Sequence, residues 1–285
     1  MRLAVTTRAE TYDRLREILP PHGIDVGFLR ATERATVLTE TPSHSFDVGL
    51  VASSRPMEAG VVDALYGLPW VNDREAILTS RNKAEVLARL SRAGLPVPES
   101  VSVSNPVDED VLVEVFERFD PPVIVKPNST TRGTGVALAA DLDTFLGICD
   151  YLSLVHDYRA TGDRSFLVQE YVPEATDYRA MVVEGEYVGA VERRLPSRAR
   201  AHGRWKHNVH RGATAEDVSL PDDLRELAEE TARVLDIPYL GVDLLVAGER
   251  AVVSETNARP TIDETTKYEP GFEERLAGLI RSRVE

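Results

Sequence analysis

Apolar positions along the first 70 residues switch between two periods. Leu3 to Thr7, Ile24 to Leu29 and Asp47 to Ala52 are short runs rich in Val, Leu and Ile, as in strands of a sheet covered on both faces. Between them, Thr11 to Leu19 has apolar residues at helical spacing and is stopped by Pro20-Pro21, and Pro56 to Tyr66 reads as a second helix. Pro69-Trp70-Val71 reads as one more short strand. This alternation predicts a parallel α/β sheet. No glycine fingerprint follows the first strand, which argues against dinucleotide binding there.

Arg74 to Ala93 carries strong helix formers with Ile77, Val86, Leu87 and Leu90. It predicts one linker helix, capped by Gly94 and closed by Pro96 and Pro98. Val107 to Phe119, Asp141 to His156, Asp222 to Leu235 and Phe272 to Ile280 read as further helices. Val123 to Pro127, Val136 to Ala139, Phe166 to Val172, Arg179 to Val183 and Tyr187 to Val191 read as strands. The fold class is therefore mixed α/β (α+β), and 285 residues suit two domains or one composite domain.

One apolar pair of runs carries polar residues that need partners. Gly241 to Val246 and Val253 to Asn257 form a hairpin pattern interrupted by Asp243, Glu255 and Asn257. Buried polar groups are costly unless paired. Two carboxylates and an amide suit a hard divalent ion that shares its shell with substrate phosphates. Glu255 and Asn257 point to one face by strand alternation. Asp243 joins them if Val246 faces Arg250 across a three-residue turn, which sets Asp243 opposite Val253 and Glu255 opposite Gly241. A slip of one residue turns Asp243 away. The plain alternative is a hairpin with its polar residues in water.

Charge narrows the function. The net charge of −14 argues against sequence-independent nucleic-acid binding, which needs clustered positive charge. No apolar run has membrane-spanning length and the N-terminus lacks a signal-peptide pattern, so a cytoplasmic location is expected. The single cysteine, Cys149, falls in a helical pattern as a core residue and excludes an intrachain disulfide. Only Lys83, Lys126, Lys206 and Lys267 are lysines among 33 basic residues. An acidic, lysine-poor chain resembles proteins of salt-accumulating, halophilic archaea, where salt screens self-repulsion.

Several segments could hold an anion or a nucleotide. Lys126 ends a β-branched run and precedes a loop, Asn128 to Val136, that contains Ser129, Gly133, Thr134 and Gly135. Such loops offer backbone N–H groups to phosphate oxygens, with a lysine as point charge; a hairpin turn is the plain alternative. Gln169-Glu170-Tyr171-Val172-Pro173 is a strand running into a proline, which exposes its last backbone groups. Asp177 and Arg179, then Glu192-Arg193-Arg194, then Arg204 to Gly212 follow; the last is a basic block in an acidic chain.

Taken in order, these segments resemble the ATP-grasp superfamily, in the branch of ribosomal protein S6 glutamate ligases (RimK-type carboxylate–amine ligases). The resembling residues are Asn82-Lys83, Val125-Lys126-Pro127, Gly133-x-Gly135, Gln169-Glu170-Tyr171-Val172, Asp177-x-Arg179, Glu192-Arg193-Arg194, Asn208-x-His210-Arg211-Gly212, Gly241-Val242-Asp243 and Glu255-x-Asn257. The resemblance implies an ATP-grasp fold behind an N-terminal α/β domain. Residues 1–80 would be that domain, 81–173 a linker helix and central lid subdomain, and 174–285 a C-terminal subdomain with a metal site. Lys83 and Lys126 would contact ATP phosphates under the Ser129–Gly135 loop. Gln169, Glu170, Tyr171 and Val172 would line the adenine pocket, Asp177 would lie near the ribose, and Lys206 and Asn208 near the γ-phosphate. Arg194 or Arg193 would stabilise an acyl phosphate. Asp243, Glu255 and Asn257 would hold two Mg²⁺ or Mn²⁺ ions.

The resemblance further implies an amide bond formed through an acyl phosphate, with glutamate as amino acid and a carboxylate-bearing protein, peptide or coenzyme as acceptor. His207 or His210 is a candidate base for the amine, with a structural hydrogen bond as the plainer and favoured role. Three of the four lysines fall inside the motif set, where a compact charge is needed and a planar guanidinium does not fit. The chain departs from the family at Arg259-Pro260, so the acceptor or amino-acid side of the pocket can differ there, with Arg259 a candidate partner for a substrate carboxylate. An ATP-grasp kinase acting on a small molecule and an inactive nucleotide-binding module both stay open, as does a homo-oligomeric state. The salt reading has a direct check: circular dichroism and ATP turnover should both rise from low ionic strength to molar KCl, and a chain fully folded and active without salt refutes it.

Overall fold

A computed structural model describes the chain except residues 9, 41, 44, 132, 156–162, 207–211, 263–267 and 285, and except the side chains at 200 and 201. The expected mixed α/β architecture is present as three sheets. The first is wholly parallel, in the order β2-β1-β3-β4, from β1 (Arg2–Val5), β2 (Asp25–Phe28), β3 (Val48–Val51) and β4 (Trp70–Asn72). Helices α1 (Glu10–Ile18) and α2 (Pro56–Tyr66) connect its strands, and α3 (Arg74–Arg81) and α4 (Lys83–Arg92) lead out of it.

The second sheet is antiparallel, in the order β5-β8-β6-β7. It contains β5 (Ser100–Ser104), β6 (Val123–Pro127), β7 (Ala137–Ala139) and β8 (Ser165–Glu170), with α5 (Glu109–Phe116) and α6 (Leu142–Val155) on one face. The third, also antiparallel, runs β11-β10-β9-β12-β13. Its strands are β9 (Thr176–Val183), β10 (Glu186–Arg194), β11 (Thr214–Val218), β12 (Tyr239–Ala247) and β13 (Arg250–Asn257). With it come α7 (Ser197–Ala201), α8 (Asp222–Leu235) and α9 (Phe272–Ser282). Among the described residues no helix is long and apolar enough to cross a membrane.

The predicted linker helix is two helices. Asn82 ends α3 and its side-chain oxygen accepts the N–H of Glu85, so it caps α4. Asparagine competes for backbone hydrogen bonds and favours caps over helix interiors. The break turns Lys83 inward, where it is 5 % exposed. Strand β5 escaped the sequence pattern because it is short and follows Pro96 and Pro98, although Ser100 to Ser104 alternates as strands do. Cys149 sits in the α5–α6 core, and burial pushes its thiol up to about 12, as expected of an inert core cysteine.

The chain's two ends share one core. Leu3, Val5, Leu15 and Ile18 pack with Leu276 and Ile280 of α9 and with Met181 and Tyr239 of the third sheet. Asn72, fully buried at the end of β4, is the polar tie across this contact. Its Nδ2 donates to Tyr239 O (2.5 Å) and Ala258 O (2.7 Å), and its Oδ1 accepts from Tyr239 N (3.2 Å). Asn72→Ala strands three buried backbone groups. Urea denaturation should show a loss of about 3 kcal/mol, and a loss under about 1 kcal/mol would mean water replaces the amide.

Candidate active site

The hairpin of β12 and β13 brings the three predicted oxygen ligands together, in a register different from the expected one. Ala247 pairs with Arg250 across Gly248-Glu249, and Leu244 with Val253. A bulge at Ser254 then sets Asp243 opposite Glu255 and Gly241 opposite Asn257. Without that extra residue, strand alternation would leave Asp243 and Glu255 on opposite faces. Ser254 Oγ donates to Asp243 O at 3.2 Å and closes the bulge.

Asp243 is deeply engaged. Arg179 donates to both of its oxygens (2.6 and 2.8 Å), and Arg193 reaches Oδ2 at 3.0 Å. Burial acts to raise its carboxyl, but the two guanidiniums overcome it and hold it below the usual carboxylate range. Asp177 is the opposite case. Burial dominates and raises its carboxyl despite the Arg193 hydrogen bonds. Arg193 therefore bridges two buried acids, and its charge is locked on by Asp243 and Asp177 against the cost of burial.

Arg194 and Asp177 are two of the residues expected at the site. Arg193 and Arg194 point to opposite faces of β10; Arg194 lies outside, more than half exposed, paired with Glu192 and Glu216. It is not among the inward-facing site residues. Asp177 faces Arg193, is 9 % exposed and holds its carboxylate in that ion pair.

The lysines converge from different elements. Lys83, at the first turn of α4, donates to Asn128 O (3.1 Å) and Thr130 O and lies 3.5 Å from Glu255 Oε1. Lys126, at the end of β6, donates to Gln169 Oε1 (3.0 Å) and to Ser254 O (3.4 Å), the carbonyl at the bulge. Burial lowers the Lys126 ammonium to about 8; Glu255 and Asp243 oppose the shift and Lys83 adds to it. Among the described residues Glu255, 38 % exposed, is the carboxylate paired with Lys83, and Lys126 has amide and carbonyl partners but no ion pair.

Beside the lysines stands the loop from Ser129 to Gly135. Gly133 and Gly135 adopt positive φ, and a Cβ on Gly135 would meet Pro127 Cγ at 2.7 Å, so both positions favour glycine. Thr134 N donates to Thr131 O and Thr130 Oγ1 to Thr134 O. Ser129 is 8 % exposed and its Oγ is buried without a partner. An orphaned hydroxyl of this kind is expected where a ligand oxygen completes the hydrogen bond.

Strand β8 ends at Glu170, two residues short of the predicted strand. Glu170 is held by Arg250 (2.9 Å) and by Glu99 N (2.7 Å), and the Arg250 contact keeps its carboxyl ionised. Among the described residues no main-chain hydrogen bond engages Tyr171 or Val172, which leaves their backbone open to a base edge. The Trp205 ring stands edge-on to Tyr171, 6.3 Å between centroids. Lys206 lies over Trp205 and donates to Val136 O beside Gly135, so the basic block reaches the glycine loop. Asn208, His207 and His210, with roles expected from sequence, lie outside the described residues, as does Lys267.

Sequence reading gave no role to Arg179, Asn128 or Arg81. Asn128 is buried, accepts from Ala84 N and donates to Asn82 Oδ1, so it locks the glycine loop to α4. Its only signal was its place after Lys126-Pro127. Arg259 donates to Ala52 O at 2.8 Å. Burial and the neighbouring Arg81 lower its guanidinium.

For a metal, the donor set is oxygen only, as Mg²⁺ or Mn²⁺ prefers. Among the described residues Asp243 Oδ1 carries one hydrogen bond and keeps a lone pair, Glu255 is accessible, and Asn257 Oδ1 accepts Arg259 N alone. Among the described residues no three His, Cys, Asp or Glu side chains gather as a metal cage. These residues fit an ion that takes the rest of its shell from phosphates.

Residues 80–271 match the RimK-like ATP-grasp domain. The chain is 34 % identical over 231 residues to a probable alpha-L-glutamate ligase of Thioalkalivibrio sulfidiphilus, covering 78 % of this chain and 68 % of that protein. It is 32 % identical over 199 residues to the ribosomal protein bS6–L-glutamate ligase of Escherichia coli O139:H28, with 69 % and 62 % covered, so that match spans less than two thirds of the relative's length. In structure it is similar to a RimK domain ATP-grasp protein of Sphaerobacter thermophilus, with a TM-score of 0.72, 22 % identity and 100 % and 99 % of the two chains covered. The length of the domain match and the level of identity agree: this chain belongs to the RimK-like ATP-grasp family.

Proposed function

We propose that the protein is an ATP-dependent carboxylate–amine ligase working through an acyl phosphate, with glutamate as the amino acid and a carboxylate-bearing protein, peptide or coenzyme as acceptor. The observation that carries this reading is a pair of buried lysines from different elements at one place: Lys83, 3.5 Å from the partly exposed Glu255, and Lys126, held by Gln169 and by the carbonyl of Ser254 next to Glu255. Two desolvated ammoniums with so little local counter-charge call for a polyanion. The partnerless Ser129 hydroxyl and the open backbone of Tyr171 and Val172 supply contacts for a phosphate and a base. The relatives' names support the ligase chemistry and the amino acid. The acidic, lysine-poor composition supports a salt-rich habitat.

In this mechanism a carboxylate oxygen of the acceptor attacks the γ-phosphorus of ATP and ADP leaves, giving an acyl phosphate. The amine then attacks the acyl carbon, loses a proton and expels phosphate, leaving an amide. Lys83 and Lys126 hold the phosphates, and the Ser129–Gly135 loop and Lys206 close over them. Tyr171 and Val172 bind the base. Asp243, Glu255 and Asn257 are the residues to hold Mg²⁺ or Mn²⁺, which would neutralise phosphate charge. Arg179 and Arg193 fix the Asp243 carboxylate. Positioning and charge neutralisation do the catalytic work, so no activated serine or cysteine is needed.

Two outcomes test this. With Mg²⁺, amino acids and cell extract, the native chain should release ADP and yield a product whose mass shows an added amino-acid residue. Lys126→Ala and Glu255→Ala should each lower that turnover by more than about a hundredfold with an unchanged circular dichroism spectrum; full turnover by either overturns the assignment. A phosphorylated product would identify a kinase.

The second outcome is a proton count. Lys126 titrates near about 8 in the free protein, so around that pH part of it is neutral. A bound triphosphate favours the charged form and raises the pKa. ATP binding near pH 8 should then take up protons, seen as a calorimetric heat that varies with buffer ionisation enthalpy. Near pH 6 Lys126 is already charged and its uptake vanishes. The same uptake in Lys126→Met would assign it to another group.

A further inference from the structure

Arg259 sits where the third sheet meets the first. Its main-chain N–H donates to Asn257 Oδ1 at 2.9 Å, which fixes its start beside the candidate metal residues. Its Nη1 donates to Ala52 O at 2.8 Å, which fixes its guanidinium past the end of β3. Among the described residues no carboxylate pairs with it, although the chain has 47 acidic residues. A guanidinium has five N–H donors in a planar fork, and one neutral carbonyl uses one of them. The side chain is only partly exposed, so water does not fully replace a counter-ion.

The surroundings add cationic character. Arg81 ends α3, and the preceding Ser80 accepts from Ala258 N (3.0 Å) and touches Thr256 Oγ1 (3.2 Å), so Arg81 belongs to the same joint. Its guanidinium is near enough to repel that of Arg259. Lys83 follows two residues later, against Glu255. The joint also lies outside the carboxyl ends of β1 and β3, with Thr6 and Ser53 on its rim. Open parallel sheets hold ligands at that edge.

We propose that Arg259 binds the α-carboxylate of a free amino acid and so brings its amine to the acyl phosphate formed beside Asn257. The inference rests on the ligase reading. Of the two carboxylates such a reaction handles, the activated one must reach the γ-phosphate and is consumed as a carboxylate. The amino acid's own α-carboxylate stays charged throughout and needs a fixed counter-charge. A forked guanidinium one step beyond the phosphate residues matches it in shape and charge. The substrate class is thus an α-amino acid with a free carboxylate, and simple amines and carboxyl-capped amino acids are rejected.

The test is equilibrium dialysis of the full chain with Mg²⁺ and a non-hydrolysable ATP analogue against the common L-amino acids. The native protein should bind at least one, and bind its α-amide roughly ten- to a hundredfold more weakly. Arg259→Gln should weaken the acid by a similar factor and leave the amide's affinity in place. Arg259→Lys, which keeps the charge without the fork, should recover part of the loss. Equal binding of acid and amide by the native chain, or native affinity for the acid in Arg259→Gln, overturns the proposal. So does a chain that binds the nucleotide analogue and no amino acid. Failure to bind the analogue at all overturns the ligase reading instead. If Arg259→Gln does not fold, the native acid-against-amide comparison and the lysine variant still decide.

Discussion

A residue inserted at Ser254 shifts β13 against β12, and the geometry of the site follows from that shift. Asp243 then faces Glu255, so two acids and Asn257 share a face instead of splitting across the sheet. The carbonyl of Ser254 takes the Lys126 ammonium arriving from the second sheet. Beyond the bulge the strand continues to Thr256 and Ala258, which Ser80 and Asn72 hold against the first sheet. One local irregularity thus sets how three sheets meet. Bulges re-aim side chains in this way at functional sites.

The polar groups around that bulge divide into a satisfied set and an unsatisfied one. Asp177, Arg193, Asp243 and Arg179 alternate in sign and share forked hydrogen bonds. Such a network contributes little net stability, because desolvation offsets attraction, yet losing one member strands a buried charge. Its effect here is to hold Asp243 ionised and in one orientation. Lys83, Lys126 and Ser129 form the other set. They have carbonyl or amide partners, or none, and one accessible acid. The first set closes on itself, and the second stays open to a ligand.

Much of this was legible in the sequence. Parallel strands in the first 70 residues and the β12–β13 hairpin follow from periodicity, the glycine loop follows from residue chemistry, and the ordered motifs carry a family resemblance. What was not legible depends on pairing between distant segments. The bulge at Ser254 leaves no mark in composition, so a three-residue turn served the same purpose on paper. Asn82 looked like one residue of a long helix because apolar spacing runs through it, while its capping hydrogen bond to Glu85 is local and silent in that pattern. Arg193 and Arg194 cannot be ranked until the register of β10 against β9 assigns each a face. Asn128 and Arg81 gain meaning only from the segments they meet.

The division of labour between arginine and lysine follows from the same geometry. Where two oxygens of a carboxylate must be gripped, the chain uses the planar fork, Arg179 on Asp243 and Arg250 on Glu170, and Arg193 uses the same fork to bridge one oxygen of Asp177 and one of Asp243. Where a charge must fit among backbone carbonyls in a closed space, it uses the compact ammonium, as Lys83 does between Asn128 O and Thr130 O and Lys126 does against Ser254 O. A guanidinium in either place would be too broad and would bring donors that those carbonyls cannot satisfy. An acidic chain that carries only four lysines therefore has a physical reason to keep two of them buried at one site. By the same logic Arg259, a fork holding a single carbonyl, is shaped for a carboxylate that the described chain does not itself provide.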